Sequence, residues 1–119
     1  EIIDAAENGN ENCRLAYEVY ARRLKFYLGA YTWLLSGADA IVFTDDIGAS
    51  SWKLREKVCS NVESLGVQID HAANCAAPRD AQTCVSQPDA HTKILVIPPD
   101  EEKMILEEVL LSMQQEKPD

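Results

Sequence analysis

The sequence predicts an α/β domain in which short strands alternate with amphipathic helices. Two apolar runs, residues 40–44 and 93–97, are bounded by turn-forming residues and are too short for helices, so they are typical of buried strands. In three longer segments, apolar residues recur every three or four positions, as they do in helices that pack on one face. Strands that alternate with such helices favour a sheet covered by helices.

The stretch that follows the first predicted strand is the part of the chain best suited to a ligand. The aspartates and glycine of residues 45–48 tolerate turn geometry, and Ser50 or Ser51 can cap a helix that starts at Trp52. We therefore expect strand, tight loop and helix N-terminus in succession. In an open α/β sheet this junction lies at the carboxyl end of a strand, where ligands bind, although an ordinary strand-to-helix connection would use the same residues.

Four helices are predicted, over residues 2–7, 11–35 and 52–65 and from residue 100 onward. Asn8-Gly9 ends the first helix, and Asn10 caps the second, which is the longest element and the expected backbone of the core. Gly29 within it predicts a close crossing by a neighbouring element. The second helix also carries aromatic residues that we expect to be core: Tyr20, Phe26, Tyr27 and Tyr31.

The remaining segments are less regular. Gly66 ends the third helix, and a short edge strand is predicted at residues 67–69. Residues 70–92 contain two prolines and many small polar residues, with a further short strand at residues 84–86. Residues 116–119 are expected to be a frayed polar tail. No internal repeat or linker is visible, so residues 1–119 are predicted to be a single domain.

Composition excludes several functional classes. The net charge is −9, from 20 acidic and 11 basic residues, and no basic cluster is present that could neutralise nucleic-acid phosphates. Neither a signal peptide nor an apolar segment of membrane-spanning length is found, which predicts a cytoplasmic fragment. The four cysteines are scattered without zinc-ligand spacing. We expect Cys13 and Cys59 to be buried, and Cys75 and Cys84 to be free thiols.

Three motifs follow one another along the chain. They are Leu28-Gly29-Ala30-Tyr31 in the long helix, Asp39-Ala40-Ile41-Val42-Phe43-Thr44 at the first strand, and Leu95-Val96-Ile97-Pro98 followed by Asp100-Glu101-Glu102. In order and spacing they resemble the C-terminal part of the acetate and butyrate kinase family, with the end of its long helix, its Asp-Ala-Ile-Val-Phe-Thr strand, and its Leu-Val-Ile-Pro and Asn-Glu-Glu block. The resemblance implies the ribonuclease H-like fold of actin-like ATPases, with a mixed sheet flanked by helices, and a chain that is the C-terminal nucleotide-binding lobe of a larger two-domain kinase.

The resemblance also implies a reaction and a site. The family transfers a phosphoryl group reversibly between ATP and acetate, giving acetyl phosphate and ADP, with Mg²⁺. Carried over by position, the nucleotide contacts would be Asp46, Ile47, Gly48, Ala49 and Ser50, and the magnesium-linked residue would be Glu101. The family's catalytic residues and acetate pocket lie upstream of this chain, so the fragment alone is expected to be inactive. A homodimer is implied as well.

The predicted nucleotide loop departs from the family. Where members carry Gly-Gly-Ile-Gly-Glu-Asn, residues 45–50 read Asp-Asp-Ile-Gly-Ala-Ser, so only Ile47 and Gly48 persist. Three hypotheses follow: an acetate kinase with an altered loop, an acyl-phosphate kinase with a changed phosphoryl donor or carboxylate, and a non-catalytic paralogue or interaction module. Nucleotide binding distinguishes the third from the others, and a panel of donors and acceptors distinguishes the first two.

Overall fold

A computed structural model describes the backbone of residues 2–115 and the side chains of residues 2–113. Its helices are α1 (Ile2–Glu7), α2 (Glu11–Leu34), α3 (Asp45–Ser50), α4 (Trp52–Cys59), α5 (His71–Ala76) and α6 (Glu101–Gln115). Its strands are β1 (Ala40–Phe43), β2 (Thr83–Cys84) and β3 (Lys93–Val96), and a single 3-10 turn covers Glu63–Leu65. The predicted tail at residues 116–119 lies outside the described residues.

The strands form one mixed sheet in the order β1-β3-β2. β1 and β3 are parallel, with Ala40 opposite Lys93 and Phe43 opposite Val96, and β2 is antiparallel to β3. The expected strand at residues 67–69 is reduced to isolated bridges from Val67 and Ile69. The predicted mixed sheet flanked by helices is thus confirmed.

The core lies between the sheet and α4. Ile94 and Val96 of β3 are fully buried, because β3 is the central strand, and they pack in one cluster with Leu54 and Val58 of α4. Tyr17 of α2 donates a hydrogen bond from its hydroxyl to the backbone carbonyl of Lys53 over 2.9 Å, which fixes the long helix against α4.

The expectation that the long helix is the backbone of the core is wrong. Ala21 is the buried residue of α2, and the aromatic residues predicted to be core are exposed, from 43% for Tyr20 to 70% for Phe26. The radius of gyration is 18.0 Å, against about 13.5 Å for a compact domain of this length, since α2 and α6 extend beyond the core. The described elements are too few to cover both faces of α2. Apart from its own helix, Gly29 likewise has no atom of the described residues within 4 Å of a Cβ built on it, so none of the described elements crosses there.

Burial of β1 is also less complete than predicted. Phe43 is buried, but Ala40 and Val42 are exposed. β1 lies at the edge of the described sheet, and alternate side chains of an edge strand face outward where nothing packs on them. Cys59 is buried as expected, whereas Cys13 is half-buried on the exposed long helix.

Three local assignments differ from the sequence prediction. The tight loop expected after β1 is the short helix α3. The helix expected to run to Leu65 ends at Cys59, because Ser60 is extended and Asn61 takes the left-handed φ of +57° that asparagine tolerates. Helix α5 was not predicted; the side chain of Asp70 caps it by accepting a hydrogen bond from the Ala73 amide over 2.9 Å.

Candidate functional site

An open cleft of about 790 Å³ lies at the carboxyl ends of the parallel strands β1 and β3. Its walls come from α3, from the segment after α5 and from the residues that join β3 to α6. The lining residues are Asp46, Ala49, Ser50, Arg79, Asp80, Gln82, Ile97, Pro98, Pro99, Asp100 and Lys103. This is the position at which ligands bind in α/β sheets.

Helix α3 brings the 45–50 segment to the cleft. The chain leaves β1 and turns sharply at Asp45, which has a left-handed φ of +67°. The amide of Ile97 donates a hydrogen bond to the Phe43 carbonyl over 2.9 Å, so the exits of the two strands are tied together. Gly48 packs against the backbone of Phe43 on the inner side of α3, where a Cβ would make ordinary contact at 3.5 Å.

The sequence predicted that Ser50 or Ser51 would cap the start of the helix after β1, which is α4 in the structure. The Ser51 side chain accepts a hydrogen bond from the Leu54 amide over 3.3 Å and so caps α4, which confirms one of the two predicted caps. The Ser50 hydroxyl instead donates to the carbonyl of Asp46 within α3. The break between α3 and α4 therefore falls at Ser51.

The cleft carries charges of both signs. The described lining contains the carboxylates of Asp46, Asp80 and Asp100 and the cations of Arg79 and Lys103. The Asp100 side chain accepts a hydrogen bond from the Lys103 amide over 3.2 Å and thereby caps α6. Because Asp100 is used as this cap, the first carboxylate within α6 itself is that of Glu101, which is exposed.

Below the cleft, Arg55 of α4 supports α3. Its side chain is 1% exposed, and its Nη1 donates to the carbonyls of Gly48 and Ala49, each over 2.8 Å. Desolvation by burial lowers the pKa of the Arg55 guanidinium, although an arginine remains protonated near neutral pH. A charged side chain with almost no exposure is therefore in direct contact with the backbone of the predicted ligand segment.

The predicted site residues are divided by the structure. Asp46, Ala49 and Ser50 line the cleft, while Ile47 and Gly48 are on α3 outside its lining, and Glu101 follows the lining residue Asp100. Sequence reasoning missed Arg79, Asp80, Gln82 and Lys103. Lys103 could have been found, because it falls on the first turn of a helix that was predicted; residues 79–82 had no signal beyond their polarity in an irregular segment.

The described residues contain no cluster of three or more His, Cys, Asp or Glu side chains able to hold a metal ion. A Mg²⁺ ion keeps several waters and takes one or two carboxylates together with substrate phosphates, so a single protein carboxylate is compatible with it. Within the same residues, no helix is long and apolar enough to cross a membrane.

Solved structures of known proteins share this fold. The acetate kinase of Porphyromonas gingivalis matches with a TM-score of 0.84 and 38% identity, over 93% of this chain and 28% of that one. A propionate kinase from Francisella tularensis matches with a TM-score of 0.76 and 30% identity, over 87% of this chain and 26% of that one. The fold is therefore that of the acetate and propionate kinases, within the actin-like ATPase class.

Sequence comparison specifies the family. The model of the acetokinase family matches residues 1–107, and the acetate kinase of Pseudothermotoga lettingae is 46% identical over 88% of this chain and 25% of its own length. The chain belongs to the acetokinase family, as its motifs indicated. It spans about a quarter of the length of the curated relatives it matches.

Proposed function

We propose that the full-length protein containing this chain is an acetate kinase, which transfers a phosphoryl group reversibly between ATP and acetate to give acetyl phosphate and ADP. The observation that carries the proposal is the identity of 38–46% to acetate kinases over most of the chain. In this proposal the chain is the C-terminal nucleotide-binding lobe of a cytoplasmic, homodimeric two-domain enzyme.

The cleft supports nucleotide binding through its residue types. Asp46 and Ser50 offer a carboxylate and a hydroxyl that can hydrogen-bond ribose hydroxyls, and Ala49 leaves room between them. Ile47 and Gly48 complete the contact segment, with Ile47 exposing an apolar surface. Arg79 and Lys103 are the cations of the cleft that could bind a phosphate, Arg79 through its planar fork and Lys103 as a flexible point charge.

Glu101 is the residue proposed to act with Mg²⁺. Its carboxylate is exposed beside the cleft residue Asp100, and oxygen is the ligand atom that a hard cation prefers. When bound, the ion would neutralise charge on the phosphates during transfer. The chain itself contributes nucleotide orientation, whereas acetate binding and the chemical step are proposed to use residues of the other lobe. Isolated residues 1–119 are accordingly expected to show no turnover.

The test is ATP formation from ADP and acetyl phosphate by the full-length protein with Mg²⁺. We expect turnover from the wild type and a requirement for at least about tenfold more Mg²⁺ in Glu101→Gln, by analogy with other losses of a metal-orienting carboxylate. Glu102→Gln is the matched control, since Glu102 is the next exposed acid on the same helical turn and should leave the requirement unchanged. A folded full-length protein without turnover would contradict the proposal.

A second candidate changes the carboxylate rather than the reaction class. It is favoured by the likeness to a propionate kinase, whose structure matches the chain at 30% identity. In both candidates the acceptor is proposed to bind to the other lobe, so a panel of acetate, propionate and butyrate in the same assay decides between them. A preference for propionate or butyrate over acetate would replace the first proposal with the second.

A further inference from the structure

Arg55 is the largest fully buried side chain of the described residues, and it is used entirely for bonds to other elements. Its Nη1 reaches the carbonyls of Gly48 and Ala49, its Nε donates to Asn74 Oδ1 over 2.7 Å, and its Nη2 donates to the Asn74 carbonyl over 3.0 Å. Among residues 2–113 no carboxylate forms an ion pair with it. Burying a charge is unfavourable, so a buried arginine without a carboxylate partner needs hydrogen bonds that compensate for its lost solvation.

Arg55 donates to the carbonyls of Gly48 and Ala49, which lie at the C-terminal end of α3. The last carbonyls of a helix have no partner within the helix, and a cation at that end interacts favourably with the helix dipole. With six residues, α3 is far too short to be stable as an isolated helix. Arg55 therefore supplies, from α4, the hydrogen bonds that hold α3 in its helical form.

Asn74 holds the guanidinium from the opposite side. It is fully buried at the centre of α5, and its Nδ2 donates to the Trp52 carbonyl over 2.9 Å and to Glu56 Oε2 over 3.2 Å. The two side chains thus link α3, α4 and α5 through one network. A network of this kind fixes the orientation of its members, since each bond restrains the others.

The network meets the cleft through the backbone of α3. Ala49, whose carbonyl accepts from Arg55, also lines the cleft, and it lies between Asp46 and Ser50, which line it too. We propose that Arg55, oriented by Asn74, is a positioning residue that sets α3 against the carboxyl ends of β1 and β3 and thereby sets the affinity of the cleft for nucleotide. This role rests on the proposed function, whereas the control of α3 itself does not.

Steady-state kinetics of the full-length protein test the first part. Arg55→Met leaves the Gly48 and Ala49 carbonyls buried without donors, so α3 is released and the KM for ADP should rise at least about tenfold. The KM for acetyl phosphate should change less than about twofold, because no residue of α3 is proposed to contact it. Arg55→Lys keeps the charge but cannot form the fork, and it should give an intermediate KM for ADP. An equal rise of both KM values would overturn the positioning role.

Hydrogen–deuterium exchange of the full-length protein tests the second part without any activity. In Arg55→Met the amides of residues 48–51, which bond to carbonyls within α3, should exchange at least about tenfold faster, while those of β3 keep their protection. Arg14→Met is the matched control, because Arg14 is an exposed arginine whose ion pair is with Glu11 of its own helix. Unchanged exchange in α3, or equal acceleration in β3, would overturn the proposal.

Two safeguards keep these arms decisive. If Arg55→Met does not fold, Arg55→Lys and Asn74→Ala, which removes the Oδ1 acceptor of Arg55 Nε, are measured in the same way, and the same two outcomes apply to them. If the wild type binds no ADP and shows no turnover, the proposed function fails, but faster exchange confined to α3 would still establish that Arg55 controls this helix.

Discussion

Asp45 provides the sharpest test of how the ligand segment is built, because it holds a left-handed φ of +67° at the first residue of α3. This conformation costs roughly 1–2 kcal/mol for a residue with a Cβ, and aspartate tolerates it better than most. Asp46, the next residue, is also an acid in the first turn but is not at positive φ. Both residues gain from the helix dipole by a similar amount, roughly 0.3–1 kcal/mol.

The comparison of Asp45→Ala with Asp46→Ala isolates the cost of the backbone conformation. Each variant loses one first-turn acid, so the dipole contribution cancels in the difference. We expect Asp45→Ala to lower the free energy of unfolding by about 1 kcal/mol more than Asp46→Ala, since only the former puts alanine at positive φ. For a chain of this length that difference corresponds to roughly 4 °C in Tm.

Urea unfolding of the 119-residue chain, followed by tryptophan fluorescence, provides the measurement. Asp45→Gly is included because glycine adopts positive φ without strain, and it should be more stable than Asp45→Ala despite the greater freedom of its unfolded chain. Equal free energies for the two alanine variants, within about 0.3 kcal/mol, would refute the assignment of strain to residue 45.

Two further predictions concern other residues. Gly66 has a φ of +81°, and a Cβ there would lie 2.8 Å from the Cβ of His91, whereas Gly9 has a φ of +90° in open space. Gly66→Ala should therefore lower the free energy of unfolding more than Gly9→Ala, and an equal loss in both variants would show that the contact with His91 is not limiting. Burial raises the pKa of the Cys59 thiol to about 12, while hydrogen bonding to Ser86 lowers the pKa of the exposed Cys84 thiol below its ordinary 9.0. Because the thiolate is the reactive form, alkylation at pH 7–8 should label Cys84 quickly and leave Cys59 unlabelled until urea is added, and early labelling of Cys59 would contradict its burial.

Local chemistry explains which parts of the fold were predictable. The caps at Asn10 and Ser51 each depend on a hydrogen bond to an amide three residues away, so the residue type and its position in the sequence were sufficient. Strands β1 and β3 were also predicted from a local feature, a short apolar run bounded by turn-forming residues. Helix α3 was missed because its aspartates and glycine favour turns, and the donors that complete it come from Arg55, which is not local.

Burial and the site depended on contacts that no local pattern records. The period of apolar residues in α2 identified a helix correctly, but it did not identify the face that packs, since Tyr17 and Ala21 contact the core whereas Tyr20, Tyr27 and Tyr31 are exposed. The role of Arg55 with Asn74 was equally hidden, because a residue that reads as a charged surface position on α4 is one of the most buried in the chain. The proposed ligand contacts came from family resemblance, and they remain predictions for Asp46 through Ser50 and for Glu101.

The parallel pairing of β1 with β3 has a consequence for how the cleft comes into existence during folding. The paired residues Ala40 and Lys93 are roughly 50 positions apart, and closing a loop of that length costs about 3.5 kcal/mol of chain entropy. The walls formed by α3 and by the residues after β3 depend on this closure, since the bond from Ile97 to Phe43 forms only after the strands meet. Substitutions that weaken this non-local pairing would therefore reduce the population of molecules with a cleft, even when they lie far from every residue that lines it.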